Sequence, residues 1–141
     1  MAAIESHDPV RHARMVEVRD GHPRLFKELI MGSASMLKGQ QANSEARALF
    51  TSIIDEVHGL HTLLGELDGL SEKQSNARRP DVERHIGRIF DLRQQARELR
   101  LKTLEERVRK MRAQHDHRTS KKDTIVNEFT ERILNPQAGG L

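Results

Sequence analysis

The chain has 141 residues, 35% apolar and 32% charged, with a net charge of +3 and no cysteine. That length holds one modest core, and the missing cysteine excludes disulfides, thiolate metal sites and a thiol nucleophile. No apolar run approaches the ~20 residues of a membrane span, and the opening MAAIESHDPVRHARM lacks the apolar centre of a signal peptide, so an intracellular, cytoplasmic protein is expected.

Four phenylalanines (Phe26, Phe50, Phe90, Phe129) are the only aromatics besides histidine. A mixture rich in Leu, Ala, Glu, Arg and Gln favours helices over sheets, and it lacks the aromatic platforms on which single-stranded nucleic acid stacks. The charge is unevenly spread. Residues 1–77 carry −3, residues 78–122 carry +8 and residues 123–141 carry −2, so the basicity belongs to one element.

Asp8-Pro9 reads as an N-cap followed by proline at the first helical position, and Gly21 stands where a helix ends, which predicts a helix over 9–20. His22-Pro23 opens a second, with Leu25, Phe26, Leu29, Ile30, Met36 and Leu37 on one side; Gly32 and Ser33 weaken it and Gly39 stops it. Asn43 caps the strongest helix. Ala46, Phe50, Ile53, Val57, Leu60, Leu64 and Leu67 recur at alternating spacings of four and three, a heptad seam. Leu49, Leu63 and Leu70 widen that seam, so it calls for two neighbours rather than one. Its breadth also suggests self-association through Phe50, Ile53, Val57, Leu60 and Leu64.

Residues 69–80, GLSEKQSNARRP, read as a polar linker. Pro80 opens the longest helix, to about Gln114, on the order of 50 Å at 1.5 Å per residue. HDHRTS breaks it, Ser120 and Asp123 form a capping box, and Ile125, Val126, Phe129 and Ile133 line a last short helix stopped by Asn135-Pro136. The expected fold is all-α, a single domain of about five helices. A small antiparallel bundle spans 9–90, a long basic helix with its return helix projects as a hairpin over 91–134, and 135–141 is a tail.

The long helix holds the one anomaly. Val82, Ile86, Ile89 and Phe90 define a face at ~100° per residue, and Leu101, Leu104, Val108 and Met111 return to it. Between them Arg93, Arg97 and Arg100 occupy the same face, and Arg107 lies at its edge. One reading is a wet gap between two packing sites, with 82–90 in the bundle, 101–111 under the last helix, and an arginine paired with Glu56. The other is a docking surface. Guanidinium forks suit carboxylates and phosphates, and an acidic amphipathic helix could lay apolar residues on Leu92, Leu99 and Leu101 and carboxylates on Arg93, Arg97, Arg100 and Arg107.

The expected function is therefore non-catalytic: an adaptor, chaperone or assembly subunit that binds an acidic or helical protein partner through helix 80–114. The alternative is a nucleic-acid-binding subunit that grips phosphates with the same face. Against it stand the missing aromatics and the i,i+4 pairs Glu98–Lys102, Glu105–Arg109 and Glu106–Lys110, which would spend charge on the helix itself.

No cofactor or metal is expected. Asp55-x-x-His58 lacks the second copy that a di-iron bundle needs, and His61 and His115-x-His117 lack further ligands. Ser33, Ser35 and Ser44 have neither a glycine elbow nor an identifiable base, so no enzyme is expected.

The stretch MLKGQQANSEARAL, residues 36–49, resembles the motif of histidine-containing phosphotransfer domains, which are four-helix bundles. There a phosphorylated histidine stands two positions before Leu-Lys-Gly, and Ala-Asn and Ala follow in the same helix; Leu37, Lys38, Gly39, Ala42, Asn43, Ala46 and Leu49 match. Ser35 stands where the histidine would be, so the resemblance implies at most a bundle, and phosphotransfer has no residue to carry it.

Overall fold

The structure, a computed structural model, describes residues 8–137; residues 138–141 of the expected tail lie outside the described residues. Among these the chain forms six helices and no strand. It divides into two units, Met1–Leu101 and Lys102–Leu141.

In the first unit, α1 (Pro9–Gly21) starts where the sequence predicts. Asp8 accepts a hydrogen bond from the Arg11 backbone N–H at 3.1 Å, and Pro9 follows at a position whose N–H needs no partner. Met15 and Val18 bury one side. Helix α2 (23–36) follows after His22. It widens into a π-helical segment over Phe26–Met31 before closing as α-helix over Gly32–Met36. This irregular stretch ends immediately before Gly32 and Ser33, the residues that weaken the sequence pattern. Ser33 is fully buried, and its hydroxyl donates back to the Leu29 carbonyl, a local bond that competes with regular helix. Gly39 then ends the segment at φ +85°, a conformation only glycine adopts without strain.

Residues 37–43 are turns, not helix. The phosphotransfer motif requires its Leu-Lys-Gly and Ala-Asn on one helix, so the likeness at 36–49 does not extend to the backbone. The matching residues serve locally instead: Gly39 as a stop and Asn43 as the cap of α3 (Ser44–Leu67). Asn43 Oδ1 accepts from the N–H groups of Glu45 at 2.9 Å and Ala46 at 3.2 Å.

Helix α3 is the axis of the first unit. Ala46, Leu49, Ile53, Ile54, Val57, Leu60 and Leu63 are buried, with Phe50 and Leu64 packed partly against them. The broad stripe is covered by α1, by α2 and by the first part of α5, as its width demands. Each such Leu, Ile or Val contributes ~1.5–3 kcal/mol of hydrophobic stabilisation. Because Phe50, Ile53, Val57, Leu60 and Leu64 lie inside or against this core, they are not a free face for a second copy.

The linker at 69–80 holds a further helix, α4 (Glu72–Ala77). Ser71 and Gln74 form a capping box, the Ser71 hydroxyl accepting from the Gln74 N–H at 3.2 Å and the Gln74 side chain accepting from the Ser71 N–H at 3.1 Å. The expectation of a polar linker missed this helix, because its capping box is followed by no apolar period.

Helix α5 (Arg79–Ser120) is longer than the sequence predicts, and α6 (Lys122–Leu134) follows after one residue. AQHDHRTS contains neither Gly nor Pro, and the Thr119 and Ser120 hydroxyls bond back to the carbonyls of His115 and His117 at 3.0 and 2.7 Å. No loop forms at 113–120. Ser120 caps nothing; the residue before α6 is Lys121, which offers no side-chain cap. No helix is long and apolar enough to cross a membrane.

Candidate docking helix

Within the first unit, the buried face of α5 is Ile89, Leu92, Ala96 and Leu99, with Val82 packed against the same core. These positions step by three and four, and His85 and Thr103 extend the series as half-buried residues. The seam is therefore not interrupted; it runs in a different phase from the one the sequence suggests. Ile86 and Phe90, expected inside, are 53% and 57% exposed. Ala96 is fully buried.

The three arginines find their explanation in this phase. Each follows a buried residue by one position: Arg93 after Leu92, Arg97 after Ala96, Arg100 after Leu99. One step is ~100° around the helix, which sets the guanidinium stems on the flank of the seam. Leu92 and Leu99 are core residues, 4% and 8% exposed, and so are not available to a partner in this fold. Arg97 and Arg100 are exposed, and Arg97 donates to Gln94 Oε1 at 2.7 Å. Leu101, the last residue of the first unit, is 56% exposed.

Arg93 is different. It is half-buried, and its Nη2 lies 3.2 Å from where a Cβ on Gly32 would stand. Its Nε is buried without a hydrogen-bond partner, and burial, with the nearby charge of Arg97, pushes its pKa down. Glu56, the expected carboxylate for one of these arginines, accepts instead from His85 Nδ1 at 2.9 Å. The His85 ring lies so close to α3 that a Cβ on Gly59 would come 2.9 Å from it.

The second unit has a different character. No described residue from 102 to 137 is buried, and only Thr103 and Ile125 are half-covered. Leu104, Val108 and Met111 on α5 and Val126, Phe129, Ile133 and Leu134 on α6 are 40% to 70% exposed. Residues 101–111 are thus not covered by the last helix, contrary to the expectation of a packed hairpin. Arg107 is exposed beside Val108. The expected pairs Glu98–Lys102, Glu105–Arg109 and Glu106–Lys110 do not form, and Lys102, Arg107, Arg109, Lys110 and Arg112 make no ion pair among the described residues. The charge of this segment is unspent.

The remaining polar clusters of the first unit are internally satisfied. Asp55 accepts from Arg11 Nε at 3.2 Å, Arg11 Nη2 at 3.0 Å and Arg14 Nη1 at 3.0 Å. His58 Nε2 lies 2.7 Å from Glu17 Oε2, so Asp55 and His58, three residues apart, face different partners. His61 Nδ1 lies 2.7 Å from His22 Nδ1, a hydrogen bond between the two rings. Burial first, then the charges of His22 and His58, hold the His61 pKa below its ordinary value.

Among the described residues no group of three or more His, Asp or Glu side chains has metal-holding geometry. A shallow, open depression beside Gly59 and Leu63 is rimmed by Arg78, Glu66, Asp81 and Arg84. These four pair with one another at 2.7 to 3.2 Å, leaving no group aimed at a ligand.

Nothing in the sequence revealed the phase of α5, since both heptad series are present in it. The exposure of Leu104, Val108, Met111 and Phe129 follows from the length of α5, which the sequence pattern underestimated. No protein-family model, curated protein or solved structure matches the chain.

Proposed function

We propose that the protein is a non-catalytic interaction subunit, an adaptor, chaperone or assembly factor, that docks an acidic helical protein through the basic and apolar residues of α5. The observation that carries this reading is the exposure of Leu104, Val108 and Met111 at heptad spacing among cations that no carboxylate among the described residues neutralises. Large apolar residues repeated on one helical stripe mark an interaction site more often than a solvated face, and the unpaired Lys and Arg residues select a negative partner. With Leu92 and Leu99 in the core, the residues assigned to docking are Leu101, Leu104, Val108 and Met111 with Arg97, Arg100 and Arg107.

One observation favours a second reading. Because the intrahelical pairs do not form, the cations of residues 100–112 are also free to meet phosphates, and the alternative is a nucleic-acid-binding subunit. Fluorescence anisotropy of the full chain separates the two. The probes are a Glu-rich amphipathic helical peptide and short DNA and RNA, single and double stranded, each at roughly 50 and 200 mM salt. Docking of a protein helix predicts peptide binding that weakens at least tenfold in Leu104→Glu/Val108→Glu, with moderate salt dependence. A phosphate grip predicts nucleic-acid binding that collapses with salt, survives that variant and is lost in Arg97→Glu/Arg100→Glu/Arg107→Glu. Binding of neither probe would remove both readings.

A further inference from the structure

Within the second unit the chain carries two unpartnered amphipathic faces of opposite charge. On α5 the face is Leu104, Val108 and Met111, spaced four then three; on α6 it is Val126, Phe129 and Ile133, spaced three then four. Read antiparallel, the two series coincide step for step: Leu104 with Ile133, Val108 with Phe129, Met111 with Val126. Each spans seven residue steps, ~10.5 Å at 1.5 Å per residue, so three apolar layers meet with no register error. The surroundings are complementary as well. Residues 102–112 hold five Lys/Arg against two Glu, and residues 123–134 hold three Asp/Glu against Arg132 alone.

The same chain cannot close this pair as the structure stands. An antiparallel helical hairpin needs a connection of ~2–5 residues, and only Lys121 separates α5 from α6. The Lys121 N–H is held by the carbonyls of His117 and Arg118 at 3.1 and 3.2 Å, so the turn is used up in ending α5. Folding α6 back would require unwinding the last turns of α5. A second copy has no such constraint, and reciprocal exchange presents the same contact twice about a two-fold axis, so the assembly closes at two chains.

We infer that α6 of a second copy occupies the apolar face of α5, pairing the chain as a dimer through two antiparallel α5–α6 contacts. This rests on the reading of α5 as a docking helix for an acidic amphipathic helix, and it names that helix. A parallel or antiparallel pairing of two α5 helices is disfavoured because residues 102–112 carry the same positive excess in both copies.

The full chain in light scattering at roughly 50 μM should give twice the 16.1 kDa of one chain. Phe129→Glu/Ile133→Glu and Leu104→Glu/Val108→Glu should each return it to a monomer with helical circular dichroism retained. Because the chain has no cysteine, Val108→Cys and Phe129→Cys chains each carry a single thiol. Mixed and oxidised, they should form a disulfide-linked pair several-fold faster than either chain alone or a mixture containing Lys73→Cys. A monomeric wild-type chain, a dimer that survives both double variants, or cross-linking no faster in the mixture than in the controls would each overturn the proposal. A monomer that still binds the Glu-rich peptide would sink the dimer and leave the docking reading standing; a monomer that binds nothing would sink both.

Discussion

The two halves of α5 use similar residues to opposite ends. In its first half Ile89, Leu92, Ala96 and Leu99 are buried in the core of the first unit, whereas Leu104, Val108 and Met111 on the same helix, and Val126, Phe129 and Ile133 on α6, stand in solvent. The difference lies in the connections. In the first unit, His22 and the turns at 37–43 reverse the chain, so that α1 and α2 fold onto α3. In the second, a single residue follows forty-two residues of helix. An amphipathic stripe becomes core only where the chain can bring a partner to it; where it cannot, the same pattern stays exposed.

Mutations that read stability should therefore divide the chain at about residue 101. The largest effect is expected in the α3 core: Ile53→Ala should cost about 2–5 kcal/mol in urea unfolding, while Phe129→Ala, measured on dilute chain, should change stability by less than about 0.5 kcal/mol. Equal costs at the two sites would end the contrast drawn here. Amide hydrogen exchange on dilute chain offers the same test without mutation, with protection high for 49–63 and low for 122–134.

Two glycines sharpen the picture within the first unit. A Cβ on Gly21 would stand 2.5 Å from the His61 ring, whereas Gly65, also helical, has nothing within 4 Å. Gly21→Ala should destabilise by about 1–3 kcal/mol as the ring is displaced from its contact with His22. Gly65→Ala should stabilise by about 0.5–1 kcal/mol through helix propensity.

The helix caps show the contrast again at a smaller scale. Asn43 closes two N–H groups of α3, and Asn43→Ala should cost about 1 kcal/mol. Helix α6 starts at Lys121 without a side-chain cap, so Lys121→Asp should raise its helicity by circular dichroism and leave the urea midpoint of the first unit unmoved.

The smallest effect is a pH dependence. The folded state disfavours protonated His61, so it binds fewer protons there than the unfolded chain. The stability from this site is complete above the ordinary histidine value of 6.5 and declines as pH falls below it. His61→Gln should flatten the unfolding midpoint over that window, and a slope unchanged by the substitution would assign the titration elsewhere. Glu17, whose carboxyl is held low by the hydrogen bond to His58, contributes only at more acidic pH.

Much of this fold is written locally. Asp8-Pro9, Gly39, Asn43 and Asn135 each set a helix boundary through a bond or torsion made within a few residues, and the chain around them needs no tertiary information to obey. The seam of α3 is equally explicit, because Ala46, Ile53, Val57 and Leu60 keep one phase over several turns. Helix α4 was not read from the sequence, because EKQSNA carries no apolar period and only the Ser71–Gln74 capping box marks its start.

Tertiary structure decided what a repeat cannot. Two heptad series run along α5, one through Ile89, Leu92, Ala96 and Leu99, the other through Ile86, Phe90 and the arginines. The second has the larger side chains, yet the first is buried; burying the second would put Arg97, an uncompensated charge, into the core in place of Ala96. Which face a helix buries depends on the shape and charge of what lies opposite, and that is a property of α3 and α2, not of α5. The sequence by itself determined the all-α class and the ends of α1 and α3; only the packing of the first unit decided that Leu92 and Leu99 became core, and the length of α5 left Leu104 and Phe129 exposed.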